Sequence, residues 1–268
     1  MPPLEEPSPH ARIALAALLA TTSCHRASTT AAPREPVRVA AAADLALAFA
    51  DIGRVFEART GERVVFSFGS TGLLSRQIRE GAPFDVFAAA NVSFVDDVVR
   101  AGVCDRSTVS PYALGQIAVW TRRGHPAPAT LADLAHPRFR QIAIANPAHA
   151  PYGQAARAAL ERNHLWQSVE AKLVFGDNVR QTHQLATTGN VDAAIVSLSL
   201  VIGDHENPWL LIDASEHPPI EQALVACDRG PNGAGGRSFA RFVSGDEGRT
   251  ILRSYGFLRP GERVGADR

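Results

Sequence analysis

The chemistry most legible in this chain is that of holding an anion. Gly69-Ser70-Thr71-Gly72 follows an apolar run, Val64-Val65-Phe66-Ser67-Phe68, and precedes a helical pattern over residues 73–80. A strand, a glycine-flanked turn and a helix N-terminus in that order gather unpaired backbone N–H groups and the positive end of a helix dipole at one point. The glycines let a ligand approach the backbone, and the hydroxyls add donors. No lysine follows the glycines, which separates the stretch from a nucleotide-binding P-loop. Taken alone, it is better explained as a simple turn. Three more segments share its character: Ala42-Ala43-Asp44-Leu45, Asn146-Pro147-Ala148-His149-Ala150-Pro151-Tyr152-Gly153, and Gly176-Asp177-Asn178-Val179. Each ends a strand pattern with small or polar residues and opens a helix. None carries a Lys or Arg, although Arg180 stands just past the last. Neutral donors of this kind suit a small, fully deprotonated oxyanion, which offers only acceptors.

Such loops need a scaffold of alternating strands and helices. Strand patterns are read at residues 37–42, 64–68, 84–89, 112–120, 141–145, 172–175, 193–196 and 221–227. Helical periodicity is read at 45–60, where Leu45, Phe49, Ile52, Val55 and Phe56 share a face, and at 73–80, 92–101, 130–134, 152–162, 179–188, 236–244 and 246–255. The alternation predicts α/β architecture with mainly parallel sheet. The units form two clusters, with the chain leaving the first near 112–120 and returning near 219–227. In open α/β sheets ligands sit at the carboxyl ends of strands, where all four loops fall.

Composition narrows the function. The 268 residues carry 27 Lys+Arg and 27 Asp+Glu, without the basic excess of a nucleic-acid binder. No Gly-x-Ser-x-Gly nucleophile elbow is present, and no histidine pair has metalloprotease spacing. His149 and His183 read as loop or surface residues rather than bases, so no enzyme is expected. The apolar run at 13–20 is too short to span a membrane and has the length of a signal-peptide core. Thr21-Thr22-Ser23-Cys24 ends it. Residues 1–24 are read as a signal peptide, either of lipoprotein type with Cys24 lipidated or a plain secretory one, and residues 25–36 as a flexible tether. In an exported chain Cys104 and Cys227 are free to form a disulfide; two buried thiols are the other reading.

From about residue 37 to 258 the chain resembles the molybdate-binding component of bacterial ABC importers. The stretches that carry the resemblance are 39–45, 68–72, Gly81-Ala82-Pro83-Phe84-Asp85-Val86-Phe87, Ala145-Asn146-Pro147 with 150–153, 176–179 with Gln181, and Pro219-Ile220-Glu221-Gln222. The resemblance implies a two-lobed periplasmic-binding-protein (type II) fold, each lobe a mainly parallel sheet flanked by helices, joined by a two-strand hinge. Residues 37–115 with 224–268 would form one lobe and 116–223 the other. The implied ligand is molybdate or tungstate, or alternatively another small oxyanion such as sulfate or phosphate. No cofactor and no direct protein ligand to molybdenum is implied. Ala43, Asp44, Ser70 and Thr71 would contact the ion from one lobe, and Tyr152 and Val179 from the other, mainly through backbone N–H, with the Tyr152 phenol as a further donor. The implied protein is a periplasmic or otherwise extracytoplasmic monomer that meets a transporter permease, without nucleic acid, and touches the membrane only through a lipid on Cys24.

Three positions depart from the family pattern. Many members have Ser or Asn where this chain has Asp44, and a carboxylate beside a dianion is repulsive. Asp44 is expected to cap its helix, leaving only its backbone to the ligand; the other reading is a changed ligand, or a cation bound with the anion. Some members have Tyr where Ser197 stands. Asn91 occupies a position where the family often has Asp.

Overall fold

The computed structural model describes residues 35–122, 124–126 and 128–262. The segment 1–24 read from sequence as a signal peptide, with Cys24, and residues 25–34 of the expected tether lie outside them.

Strand β1 (Val37–Ala42) is almost wholly apolar and buried, as a central strand covered on both faces must be. It pairs in parallel with β2 (Val64–Gly69) on one side and β3 (Val86–Ala89) on the other. Antiparallel to β3 runs β10 (Ile220–Ala226), and antiparallel to β10 runs β4 (Ser110–Gly115), giving the order β2-β1-β3-β10-β4. Four of the five strands therefore point one way and β10 points back. Because side chains alternate across a strand, Val39, Ala41, Val86 and Ala88 face one layer while Ala40, Phe87 and Ala89 face the other. The first layer is α1 (Ala46–Thr60) and α7 (Gly233–Ser244), whose Phe49, Phe56 and Phe239 rings meet edge-on at 5.3–5.8 Å. The second is α2 (Thr71–Arg79) and α3 (Val92–Arg100), which supply Leu74, Ile78, Val95 and Val98. Helix α8 (Asp246–Ser254) packs outside α1 and α7.

The second sheet repeats the plan. β6 (Ile142–Ala145) pairs in parallel with β7 (Leu173–Gly176) and β8 (Ala193–Ser197), and β5 (Ile117–Thr121) runs antiparallel to both β8 and β9 (Trp209–Leu211). The order is β7-β6-β8-β5-β9, again with one strand, β5, reversed. Helices α4 (Pro151–Arg162) and α6 (Val179–Thr187) cover it, and the short α5 (Trp166–Val169) packs on α4.

Residues 112–120, read as one strand, are two. β4 ends at Gly115 in the first sheet, Gln116 crosses, and β5 starts at Ile117 in the second. An unbroken apolar pattern carries no sign of a change of sheet. Gln116 is pinned at the crossing, donating from Nε2 to the Gly256 carbonyl at 2.7 Å. The return crossing is the 212–219 segment between β9 and β10. The division drawn from sequence at 223/224 cuts through β10, all of which lies in the first sheet; the chain has already crossed at the Pro218-Pro219 bend. β9 and α5 were not expected, being only three and four residues long. Cys104 and Cys227 form a disulfide that ties the turn after α3 to the end of β10.

Candidate functional site

Four strand ends deliver their loops to one place. Ala42-Ala43-Asp44 at the end of β1, Gly69-Ser70-Thr71 where β2 gives way to α2, Ala150-Pro151-Tyr152 at the start of α4, and Asn178-Val179 at the start of α6 line a single cavity with Ala90. It leaves only about 10 Å³ for the centre of a water-sized sphere, far below the roughly 300–1,000 Å³ of pockets for drug-sized molecules. All six residues singled out from sequence, Ala43, Asp44, Ser70, Thr71, Tyr152 and Val179, are buried in this lining.

Three helices open here. α2, α4 and α6 begin at Thr71, Pro151 and Val179. First-turn N–H groups have no intrahelical acceptor, so Thr71, Tyr152 and Val179 bring amide donors and three dipole ends to the cavity. Local sequence fixes each start. Asn178 is the N-cap of α6, its Oδ1 accepting from Arg180 and Gln181 N–H at 3.1 and 3.0 Å. Pro151 at the first position of α4 has no N–H to satisfy. Thr71 Oγ1 accepts the Ala90 N–H at 3.1 Å, which leaves its own proton free of that bond. Among the described residues no Lys or Arg lines the cavity.

The two sheets meet across this site. Ser70 Oγ donates to the His149 carbonyl at 2.6 Å and lies 2.9 Å from His149 Nδ1. The Gly72 N–H donates to the same carbonyl at 3.0 Å. A Cβ at Gly72 would lie 2.7 Å from that oxygen, so the approach needs glycine here. Gly115 is constrained in the same way, since a Cβ there would collide with the Tyr152 hydroxyl.

Asp44 does not cap a helix. A short 3-10 turn, Ala43–Leu45, intervenes between β1 and α1, so Ala42 and Leu45 take the N-cap positions and the carboxyl caps neither. The carboxyl is instead fully buried in a network that spans both lobes. Its Oδ2 accepts from the Tyr152 hydroxyl at 2.9 Å and from Gln222 Nε2 at 2.6 Å. Gln222 Nε2 also reaches the Tyr152 hydroxyl at 3.0 Å, and the Tyr112 hydroxyl donates to Gln222 Oε1 at 2.7 Å. Ser199 Oγ donates to the Asp44 carbonyl at 2.7 Å. Desolvation pushes the Asp44 carboxyl up to about 6, against the lowering effect of the Gln222 and Tyr152 bonds. Burial, and then the charge of Asp44, hold the Tyr112 and Tyr152 phenols well above their ordinary range. The Tyr152 phenol, expected to serve a ligand, is thus occupied by Asp44, and its backbone is what the cavity receives.

Gln222, Tyr112 and Ser199 had no role in the sequence reading. Gln222 belongs to the Pro219–Gln222 stretch of the family resemblance, but nothing in the sequence ties residue 222 to residue 44. Ser197, one of the three positions expected to depart from the family pattern, pairs through its Oγ with Ser199 Oγ at 2.7 Å. Asn91 is the N-cap of α3, accepting from Ser93 N–H at 2.8 Å. His183 lies outside the lining, edge-on to Trp120 at 5.3 Å.

The family model for bacterial extracellular solute-binding proteins matches residues 37–258. The chain belongs to that family. Among relatives of this solute-binding protein, the molybdate-binding protein ModA of Azotobacter vinelandii is 32% identical over 231 residues, which cover 85% of this chain and 91% of the relative. The molybdate-binding protein ModA of Rhodobacter capsulatus is 31% identical over 212 residues, 78% of this chain and 82% of the relative. The solved structure of the Azotobacter vinelandii periplasmic molybdate-binding protein matches with a TM-score of 0.77 at 27% identity, over 84% of this chain and 99% of that one. Its two-sheet architecture is therefore that of a periplasmic binding protein.

Proposed function

We propose that this solute-binding protein captures molybdate or tungstate between its two lobes and hands the ion to the permease of an ABC importer. The observation that carries the reading is the convergence of three helix N-termini, from both lobes, on one small cavity without a basic side chain. A tetrahedral dianion needs donors on every side, and fixed backbone amides supply them without the desolvation cost of a buried lysine. The ligand set is Ala43, Asp44, Ser70 and Thr71 from the first lobe and Tyr152 and Val179 from the second, mostly through N–H groups. The names of the two relatives support molybdate over sulfate or phosphate. A cavity sized for the larger ion leaves sulfate with stretched hydrogen bonds.

The mechanism is hinge closure. Gln116 and the 212–219 segment are the two crossings about which the lobes rotate, and the ion, bridging both half-sites, shifts the population to the closed form. No chemical step is involved. The protein works as an extracytoplasmic monomer, held at the membrane if Cys24 is lipidated; among the described residues no helix is long and apolar enough to cross a bilayer.

Thermal unfolding with molybdate, tungstate, sulfate and phosphate tests the reading. A ligand at about 100 times its dissociation constant adds roughly 2.7 kcal/mol, on the order of 5–10 °C for a chain of this size. Molybdate and tungstate should give that shift and sulfate should not. A shift with sulfate or phosphate alone would replace the ligand.

A further inference from the structure

Asp44 has one oxygen to spare, and its surroundings decide what that oxygen can do. Oδ2 is already held by two donors, the Tyr152 hydroxyl and Gln222 Nε2. Gln222 is held in that orientation by the Tyr112 hydroxyl on its Oε1. Oδ2 is thereby an acceptor. Oδ1 is buried without any partner, in a residue that lines the cavity. A proton on this carboxyl therefore belongs on Oδ1. Protonated, Asp44 has the hydrogen-bonding pattern of an asparagine, accepting from Tyr152 and Gln222 and donating from its other atom.

The groups facing Asp44 do not neutralise it. Tyr152 approaches from α4, Gln222 from β10, Tyr112 from β4, and Ser199 from the turn after β8. His149, outside the cavity lining, is engaged with Ser70. Helix α6, packed against the 3-10 turn, brings Arg180, which lines a neighbouring pocket with Ala43 and Gln181 and not the cavity. Among the described residues no cationic side chain bonds the carboxyl, and burial has already moved it up to about 6. A dianion placed against Oδ1 pushes it further in the same direction.

We propose that Asp44 takes up one proton as the oxyanion binds and that its Oδ1–H donates to the bound ion. This deepens the oxyanion reading above and rests on it. One O–H bond forms at Oδ1, the proton comes from solvent, and no electrons are transferred. Linkage then fixes the pH dependence. Affinity is flat where Asp44 is protonated before binding. It falls as pH rises through the range where the free protein has lost that proton and the complex keeps it.

The test is equilibrium titration of the purified protein and of Asp44→Asn with sodium molybdate and sodium tungstate between about pH 5.5 and 8.5, alongside calorimetry in buffers of different ionisation heat. The expected result for the unaltered protein is a loss on the order of tenfold per pH unit above the Asp44 transition, with close to one proton taken up per ion. Asp44→Asn, which donates from an amide at any pH, should give a flat profile, no proton uptake, and the tighter binding of the two at pH 8. The proton count on the unaltered protein stands whether or not the variant folds. Flat profiles for both proteins with no proton uptake would overturn the proposal. So would affinity that rises with pH, as an ionised carboxylate holding a cation would give. Failure of both proteins to bind either ion at every pH would overturn the molybdate and tungstate reading itself, and this inference with it.

Discussion

At Asp44 the local environment and the inferred ligand act in the same direction. Two like charges about 4 Å apart cost about 4 kcal/mol at an effective dielectric constant of 20, equivalent to roughly three pKa units. That is enough to keep at neutral pH a proton on a carboxyl that burial has already moved to about 6. The same burial has a cost without ligand. The folded carboxyl titrates near 6 and the unfolded one near 3.8, so the folded state binds more protons in that window and stability falls as pH rises through it. Above the window the cost is about 3 kcal/mol. Ligand-free Asp44→Asn should therefore differ little from the parent near pH 4 and be more stable by up to about 3 kcal/mol at pH 7.5. Urea unfolding at both pH values measures this, and an unchanged difference between them would contradict a desolvated carboxyl. The sequence showed that Asp44 was unusual, but not why. Its partners Gln222 and Tyr152 lie 178 and 108 positions away, and the 3-10 turn that takes it off the cap position leaves no mark in residue periodicity.

Among the elements, helix starts were the most legible feature. Small residues, Pro151 and Asn178 announce the N-termini of α2, α4 and α6 by local chemistry, and all three open onto the cavity. Pairing partners were less legible, because the apolar run at 112–120 reads the same whether it serves one sheet or two. β9 and α5 are too short for any period to register. Contact between the lobes is set by element starts too. The Gly72 N–H on α2 meets the His149 carbonyl at 3.0 Å, and a Cβ there would sit 2.7 Å from that oxygen. Gly72→Ala should oppose closure while favouring the helix itself. It should weaken molybdate binding by about 1–3 kcal/mol, the usual cost of overpacking, with little change in ligand-free melting temperature. Loss of affinity together with stability would mean that Gly72 supports the fold rather than the closed contact.

On the scale of the whole molecule, two similar sheets face each other through the carboxyl ends of their parallel strands, and among the described residues the chain passes between them at Gln116 and at 212–219. The site exists only where both halves meet, since the Asp44–Tyr152–Gln222 network and the Ser70–His149 contact draw residues from each. Two clusters of βα units and a departure and return of the chain were legible in the sequence; the reversed strand in each sheet and the bridging network required the structure. Capture of one oxyanion by paired half-sites is the central claim, and equilibrium dialysis against molybdate, with a large excess of sulfate in the buffer, tests it most directly. One molybdate retained per chain despite the sulfate is the predicted result. No retained molybdate, or molybdate displaced by sulfate, would contradict it.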